Sequence, residues 1–332
     1  MRVIKANVLY LDKQGMTPYQ FIEKIGRTCY KSEDKITEDS AVKFVKGLCN
    51  RKHFAMVEHY WVHLIVNSDI PYALTELGLN DLKRYMHFTI LDDGVTYVSC
   101  PLRVFFDHLD VMEDLENPYI MPVQDMWQCV INEFSEIFGL EVKPVKLSVS
   151  LEEQEFCDKL ASELRLLEAT EEQVASELMK HKTHTIHFTC DRGVTHEIVR
   201  HRPCSFAQES QRYCNYGKEN EVTFIEPLFF KRWTDEKQNC QTEEYHVWSR
   251  SCEYAEKNYL KLLELGKKPQ EARTVLPNST KTEIIVTTNE SEWQHIVNLR
   301  YHGTTGAPHP QMVEVMTIAY AMLEESSGGR IK

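Results

Sequence analysis

Long apolar runs are missing from this sequence. No stretch approaches the ~18 consecutive apolar residues that a membrane-spanning helix needs, and the opening Met1-Arg-Val-Ile-Lys-Ala-Asn is too polar for a signal-peptide core. A membrane partner is therefore not expected, and the cytoplasm is the expected compartment. No Gly-x-Gly-x-x-Gly fingerprint occurs, so a dinucleotide fold of the common kind is not indicated. The ten cysteines, Cys29, Cys49, Cys100, Cys190, Cys204 and Cys214 among them, include no Cys-x-x-Cys pair, which argues for reduced thiols and against structural zinc. His53, His59, His63, His184, His187, His196 and His201 form no His-x-x-x-His pair on a helix, so no metal is expected. Positive charge is also short. Lys and Arg number 38 against 50 Asp and Glu, a formal charge of −12, so the surface should repel nucleic acid, and any anion site must be built locally.

What is present suffices for one large domain or two ordinary ones: 332 residues, 42% of them hydrophobic. The i, i+3, i+4, i+7 spacing of Ala41, Phe44, Val45 and Leu48 predicts a helix over 39–51. Tyr60–Val66, aromatic and β-branched, reads as a strand entered directly after Glu58-His59. Residues 68–182 read as a mixed insertion packed on a single domain spanning 1–332, without chemistry of its own. Within it we expect strands at Met86–Ile90 and Val95–Ser99, and a helix over Pro122–Phe138 with Met126, Trp127, Val130, Ile131 and Phe134 on one face, stopped by Gly139. Another helix begins at Thr170, where Thr-Glu-Glu-Gln fits a capping box. Thr183–Cys190 is a strand, broken by Asp191-Arg-Gly before a short helix toward Arg200. A long helix ends near Leu265-Gly266, Pro269 opens a short one carrying Arg273, and Glu283–Thr288 is a strand. Asn289 caps the next helix, with Glu292 at its third position, and Gln311–Leu323 is the last helix. The polar tail 324–332 is expected to fray.

Arg200-His201-Arg202 lies where a helix yields to a loop, because Pro203 disfavours helix at Arg202. Two planar guanidinium forks at such a turn suit a phosphate or a polar ring edge, although a lone Arg-x-Arg usually pairs with surface acids. The longer string runs Arg200-His-Arg-Pro-Cys-Ser-Phe-Ala-Gln-Glu-Ser210-Gln-Arg-Tyr213. It resembles the Arg-His-Arg, seven residues, Ser signature of the flavin-dependent thymidylate synthases. Three further segments resemble that family in its chain order: His53 with Glu58-His59 before a strand, Arg273 in Glu-Ala-Arg-Thr-Val-Leu-Pro, and Asn289 to Arg300.

The resemblance implies an α+β fold with a twisted, mainly antiparallel sheet flanked by helices, assembled as a homotetramer. It implies reductive methylation of dUMP to dTMP, with methylene from 5,10-methylenetetrahydrofolate and reducing equivalents from NADPH or NADH through FAD. On this reading His53, Ala55, Glu58, Arg200, His201, Arg202, Gln208, Asn289, Ser291, His295 and His309 hold the flavin. Arg212 and Arg273 clamp the dUMP phosphate, with Glu197, Arg200, Gln208, Glu209, Ser210 and Gln211 around the nucleotide. Arg300 is the catalytic residue, stabilising charge on the uracil ring. The chain departs from commoner versions of the pattern at Glu197, where glutamine is frequent, at Ala207-Gln208 in place of Asn-Glu, at Ser291 in place of arginine, and at Cys29 in place of a small polar residue. Rival readings are a nucleic-acid module built on the Arg-His-Arg loop, a metal-dependent nucleotide hydrolase using the histidines, and a Cys204 nucleophile activated by adjacent cations.

Overall fold

The computed structural model describes residues 1–112, 117, 119–218, 220–230, 232–235 and 238–332. Its strands are β1 (Arg2–Ile4), β2 (Asn7–Tyr10), β3 (Trp61–Val66), β4 (His87–Ile90), β5 (Thr96–Pro101), β6 (Ser148–Leu151), β7 (Thr183–Asp191), β8 (Ser205–Gln208), β9 (Thr223–Ile225), β10 (Arg232–Asp235), β11 (Gln238–Gln241) and β12 (Lys281–Asn289). The helices before β7 are α1 (Pro18–Tyr30), α2 (Ser40–Asn50), α3 (Ile70–Glu76), α4 (Arg103–Asp107), α5 (Ile120–Glu133), α6 (Ser135–Phe138), α7 (Glu153–Leu166) and α8 (Glu171–His181). After β7 come α9 (Arg192–Ile198), α10 (Glu243–Glu264), α11 (Pro269–Ala272), α12 (Glu290–Arg300) and α13 (Pro310–Ser326). Among the described residues no helix is long and apolar enough to cross a membrane.

Period-two burial explains how the layers stack. Along β12, Ile284 and Val286 join Phe188, Trp293 and Met316 in a core under α12 and α13, while Ile285 faces the opposite core of α1, α2 and α5. β12 is central in a four-stranded antiparallel sheet of order β2-β7-β12-β8. β3 is buried along its whole length. It sends Val62, Leu64 and Val66 to the α1/α2/α5 core, and Ile65 to a smaller one with Tyr97, Phe156 and Leu160.

The mixed α and β architecture with antiparallel sheets agrees with expectation; the single sheet does not. β3 pairs with β5 and β6 in a second antiparallel sheet of order β4-β5-β3-β6. A strand buried on both faces between two open edges takes partners on each, and the 68–182 segment supplies them. β1 and β9 form a separate parallel pair.

The local start signals are realised. Thr170 accepts from the Gln173 N–H while its own N–H donates to Gln173 Oε1 at 2.8 Å. Asn289 Oδ1 accepts from the Glu292 N–H at 2.9 Å. The helix expected over Pro122–Phe138 starts at Ile120 and breaks at Phe134, and Gly139 closes α6 at φ 66°, a conformation glycine adopts without strain. The C-terminal tail is held, contrary to expectation. Arg330 makes two bonds to Glu290, at 2.6 and 2.7 Å, and Ile331 is fully buried.

Burial keeps several imidazoles neutral. His59 is pushed down to about 3, His87 and His201 to about 4, and His63 and His181 also fall. In the unfolded chain these groups take a proton near pH 6.5, so the folded state loses stability as pH falls from about 6.5 toward 4. Glu292, raised to about 7 by burial, opposes this in the same window, and burial also raises Glu133, Asp191 and Glu314, but these are four groups against five. The urea midpoint should therefore drop between pH 7 and pH 5; an unchanged or rising midpoint would contradict neutral burial of these rings.

Candidate functional site

The end of α1 is tied to the end of β8. The Cys29 thiol, pushed up to about 12 by burial and so protonated, donates to the Gln208 carbonyl at 2.8 Å. The Cys29 carbonyl accepts the Ser210 N–H at 3.2 Å. Tyr213 and Cys214 N–H groups return to the Ser210 carbonyl, a tight turn that leaves Arg212 exposed over the Tyr213 ring. Tyr30, the last residue of α1, meets His53 Nδ1 at 2.6 Å.

These groups line a cavity of about 310 Å³ together with Arg192 and Arg273. Of the residues selected from sequence, it gathers His53, Gln208, Glu209, Ser210, Gln211, Arg212 and Arg273. Among the described residues, Arg192, Arg212 and Arg273 have no acid within ion-pairing distance. Nearby carboxylates are committed elsewhere: Glu209 accepts from Lys281 Nζ at 3.0 Å and from the Tyr216 hydroxyl at 3.1 Å. Three unpaired guanidiniums beside a serine hydroxyl form a preformed anion site.

Arg300 lies elsewhere. Its Nε donates to His201 Nε2 at 2.9 Å, Nη1 to the Glu197 carboxylate at 2.9 Å, and Nη2 to the Glu197 carbonyl at 3.1 Å. Glu197, which stands where glutamine is frequent, thus acts as a charged clamp. His201, Glu292 and His295 bring ligand-type atoms within 4.8 Å of one another. A metal is a poor fit there, because the Arg300 N–H uses the His201 Nε2 lone pair, placing the proton of the neutral ring on Nδ1. Ligating histidines show the reverse, donating through the nitrogen that faces away from the metal.

A second chamber of about 750 Å³ lies across Phe206, which lines both cavities. Glu58 and Arg202 border it, with Trp61 and with Tyr85 and His87 from the 68–182 segment. His87 stacks on Trp61 at 16° and 5.4 Å. Arg103, also in that segment, pairs with Glu58 at 2.8 Å.

The remaining selected residues are scattered. Arg200, Ser291, His295 and His309 are exposed, His309 against the Phe229 ring edge. Ala55 packs against the α1/α2/α5 core. Asn289 is 2% exposed, and its amide nitrogen donates to the Lys180 carbonyl at 2.9 Å beside the His87 ring, so the side chain serves as a cap and tie.

Sequence reading passed over Arg192, Arg103 and His87, and marked Cys29 only as a departure from the family pattern. Arg192 stood in plain view in Asp191-Arg-Gly but was taken only as a strand breaker. The others act through contacts 45 to 202 residues away, which no local pattern encodes.

Fold and cavity define an α+β protein with a pocket lined by three arginines that have no acidic partner among the described residues. Residues 143–327 match the family described as thymidylate synthase complementing protein, more than half of the chain, and the chain belongs to that family. The match begins inside the segment read as an insertion. The flavin-dependent thymidylate synthase of Pyrococcus abyssi is 33% identical over 150 residues, covering 45% of this chain and 56% of that protein. The enzyme of the same description from Corynebacterium efficiens is 33% identical over 157 residues, covering 45% and 59%. The chain thus spans about half the length of the curated relatives it matches. A solved UMP/dUMP methylase, PolB from Streptomyces cacaoi, aligns with 55% of this chain and 83% of its own at 21% identity and a TM-score of 0.37, too low to carry an argument.

Cys204 is half-buried, and burial first, then the Glu292 charge, pushes its thiol well up. It therefore lacks the thiolate that a nucleophile needs. Brief iodoacetamide treatment of the native protein at pH 7.5, read by mass spectrometry, should leave Cys204 unmodified; rapid carbamidomethylation would restore it as a nucleophile.

Proposed function

We propose that the protein is a flavin-dependent thymidylate synthase, converting dUMP to dTMP in de novo nucleotide synthesis in the cytoplasm. The observation that carries this reading is the cavity in which Arg212 and Arg273 stand without an acid beside Ser210, in a chain of net charge −12. Unpaired arginines in an acidic protein are held for an outside anion. The family membership supports the reading, as do relatives named for that activity. The co-substrates are 5,10-methylenetetrahydrofolate as methylene donor and NADPH or NADH as reductant.

On this reading Arg212 and Arg273 grip the dUMP phosphate, with the Ser210 hydroxyl completing the contact and the Cys29 bonds holding the loop in place. A phosphate fixed this way orients the base for reaction. Phe206 forms the wall between nucleotide and cofactor chambers. The second chamber fits FAD's ring system: about 750 Å³, aromatic Trp61, Tyr85 and Phe206 on its walls, and Arg202, which has no acidic partner among the described residues. Arg202, with His201 and His295 nearby, would hold the flavin; Glu58 would border it. When bound, FAD supplies the hydride chemistry. Arg300 stabilises negative charge on the pyrimidine once Glu197 releases it.

Arg300 and the phosphate cavity occupy different parts of one chain, since Arg300 does not line that cavity. This separation supports a homotetramer whose sites draw on more than one copy, the cavity of one completed by the Arg300 cluster of another.

Two substitutions test the roles. Arg273→Ala should raise the KM for dUMP about tenfold or more with a smaller change in kcat; an unaltered KM would remove Arg273 from the phosphate site. Arg300→Ala should cut kcat by about a hundredfold or more while the purified protein still takes up FAD and stays yellow. Undiminished dTMP formation by that variant would end the role given to Arg300.

A further inference from the structure

The segment Asp191-Arg-Gly ends β7 and begins α9, and its arginine is held through its own backbone groups, the carbonyl accepting from the Thr195 hydroxyl at 3.0 Å. The Arg192 N–H donates to the Asn278 carbonyl at 2.9 Å, which joins this corner to the segment carrying Arg273. The Arg192 side chain runs into the 310 Å³ cavity, and its Nη1 is buried with no hydrogen-bond partner. A buried guanidinium nitrogen without a partner costs free energy, so something is normally supplied to meet it.

The surrounding acids do not supply it. Asp191 is spent on the Val194 N–H at 2.9 Å and on Gln311 Nε2 at 2.6 Å. Glu209 is spent on Lys281 and Tyr216. Burial and the Arg273 charge both make the Arg192 cation costly, holding its pKa below the usual arginine value. Like charges without a counterion are a strained arrangement that an incoming dianion relieves.

We propose that Arg192 is a third guanidinium ligand of the nucleotide phosphate, beside Arg212 and Arg273. Its place on the cavity and its unmet Nη1 are independent of the sequence signature, but the identity of the anion rests on the dUMP reading above. A phosphomonoester has three terminal oxygens, so three forks can each take one. A phosphodiester has two and leaves one fork unmet. The site thereby selects a terminal monophosphate over a diester and over the uncharged nucleoside.

The test is calorimetric binding of dUMP, deoxyuridine and inorganic phosphate to the full chain and to Arg192→Met and Arg192→Lys, with a thermal melt of each. Arg192→Met should bind dUMP about 10- to 100-fold more weakly, with deoxyuridine binding unchanged, and Arg192→Lys should lie between. The ligand-free melt of Arg192→Met should be no lower than that of the natural chain, because a repulsion with Arg273 is gone. A variant that binds dUMP as tightly as the natural chain, or that loses dUMP and deoxyuridine alike, overturns the assignment. Should the natural chain ignore dUMP yet hold inorganic phosphate, with that binding lost in Arg192→Met, the nucleotide reading fails while the Arg192 assignment stands. Absence of binding by all three probes overturns both.

Discussion

The antiparallel pairing of β7 with β12, from Lys281 opposite Asp191 to Asn289 opposite Thr183, constrains both ends of the site. At one end it sets Arg192 and, through β8 pairing of Ile284 with Gln208, the Ser210–Arg212 turn. At the other it sets Asn289 beside Lys180 and His87, and places Ser205 opposite Thr287 next to the Arg202 chamber. A slip of one residue would turn Ile284 and Val286 out of the α12/α13 core, so burial of that face locks the register. Packing on the sheet is thus what allows its ends to hold costly groups.

α9 carries that constraint between the two halves. Its first residue is Arg192 in the arginine-lined cavity, Thr195 accepts from Gln208 Nε2 at 3.0 Å, and Glu197 clamps Arg300. Seven residues therefore touch the anion pocket, the strand that bears it, and the arginine assigned to the ring. The same economy makes Glu197 consequential. Where glutamine would offer a neutral hydrogen bond, a carboxylate holds Arg300 by charge, a hold that the role proposed for Arg300 requires to be exchanged for substrate.

Local signals were legible because their physics is local. The Thr170 box, the Asn289 cap and the strand at Glu283–Thr288 each involve residues a few positions apart, and the structure has them as read. The residues selected for the phosphate, Ser210, Arg212 and Arg273, also converge on one cavity, and His53, selected for the flavin, lines that same cavity. What escaped depends on distant partners. β3 looked like part of a single sheet because nothing in its sequence says that β5 and β6 will flank it. The tail looked frayed because Arg330 finds Glu290 forty residues away. The 68–182 segment looked inert because Arg103 and His87 act only by reaching Glu58 and Asn289.

The central claim is that unpaired arginines at the β7/β8 end of the sheet are kept for a nucleotide phosphate. The most direct measurement is a crystal structure of the full chain soaked with dUMP. The account requires phosphate oxygens within hydrogen-bonding distance of Arg212, Arg273 and Ser210, beneath the Tyr30–His53 pair. A phosphate seated elsewhere, with these guanidiniums still empty at saturating dUMP, would contradict it.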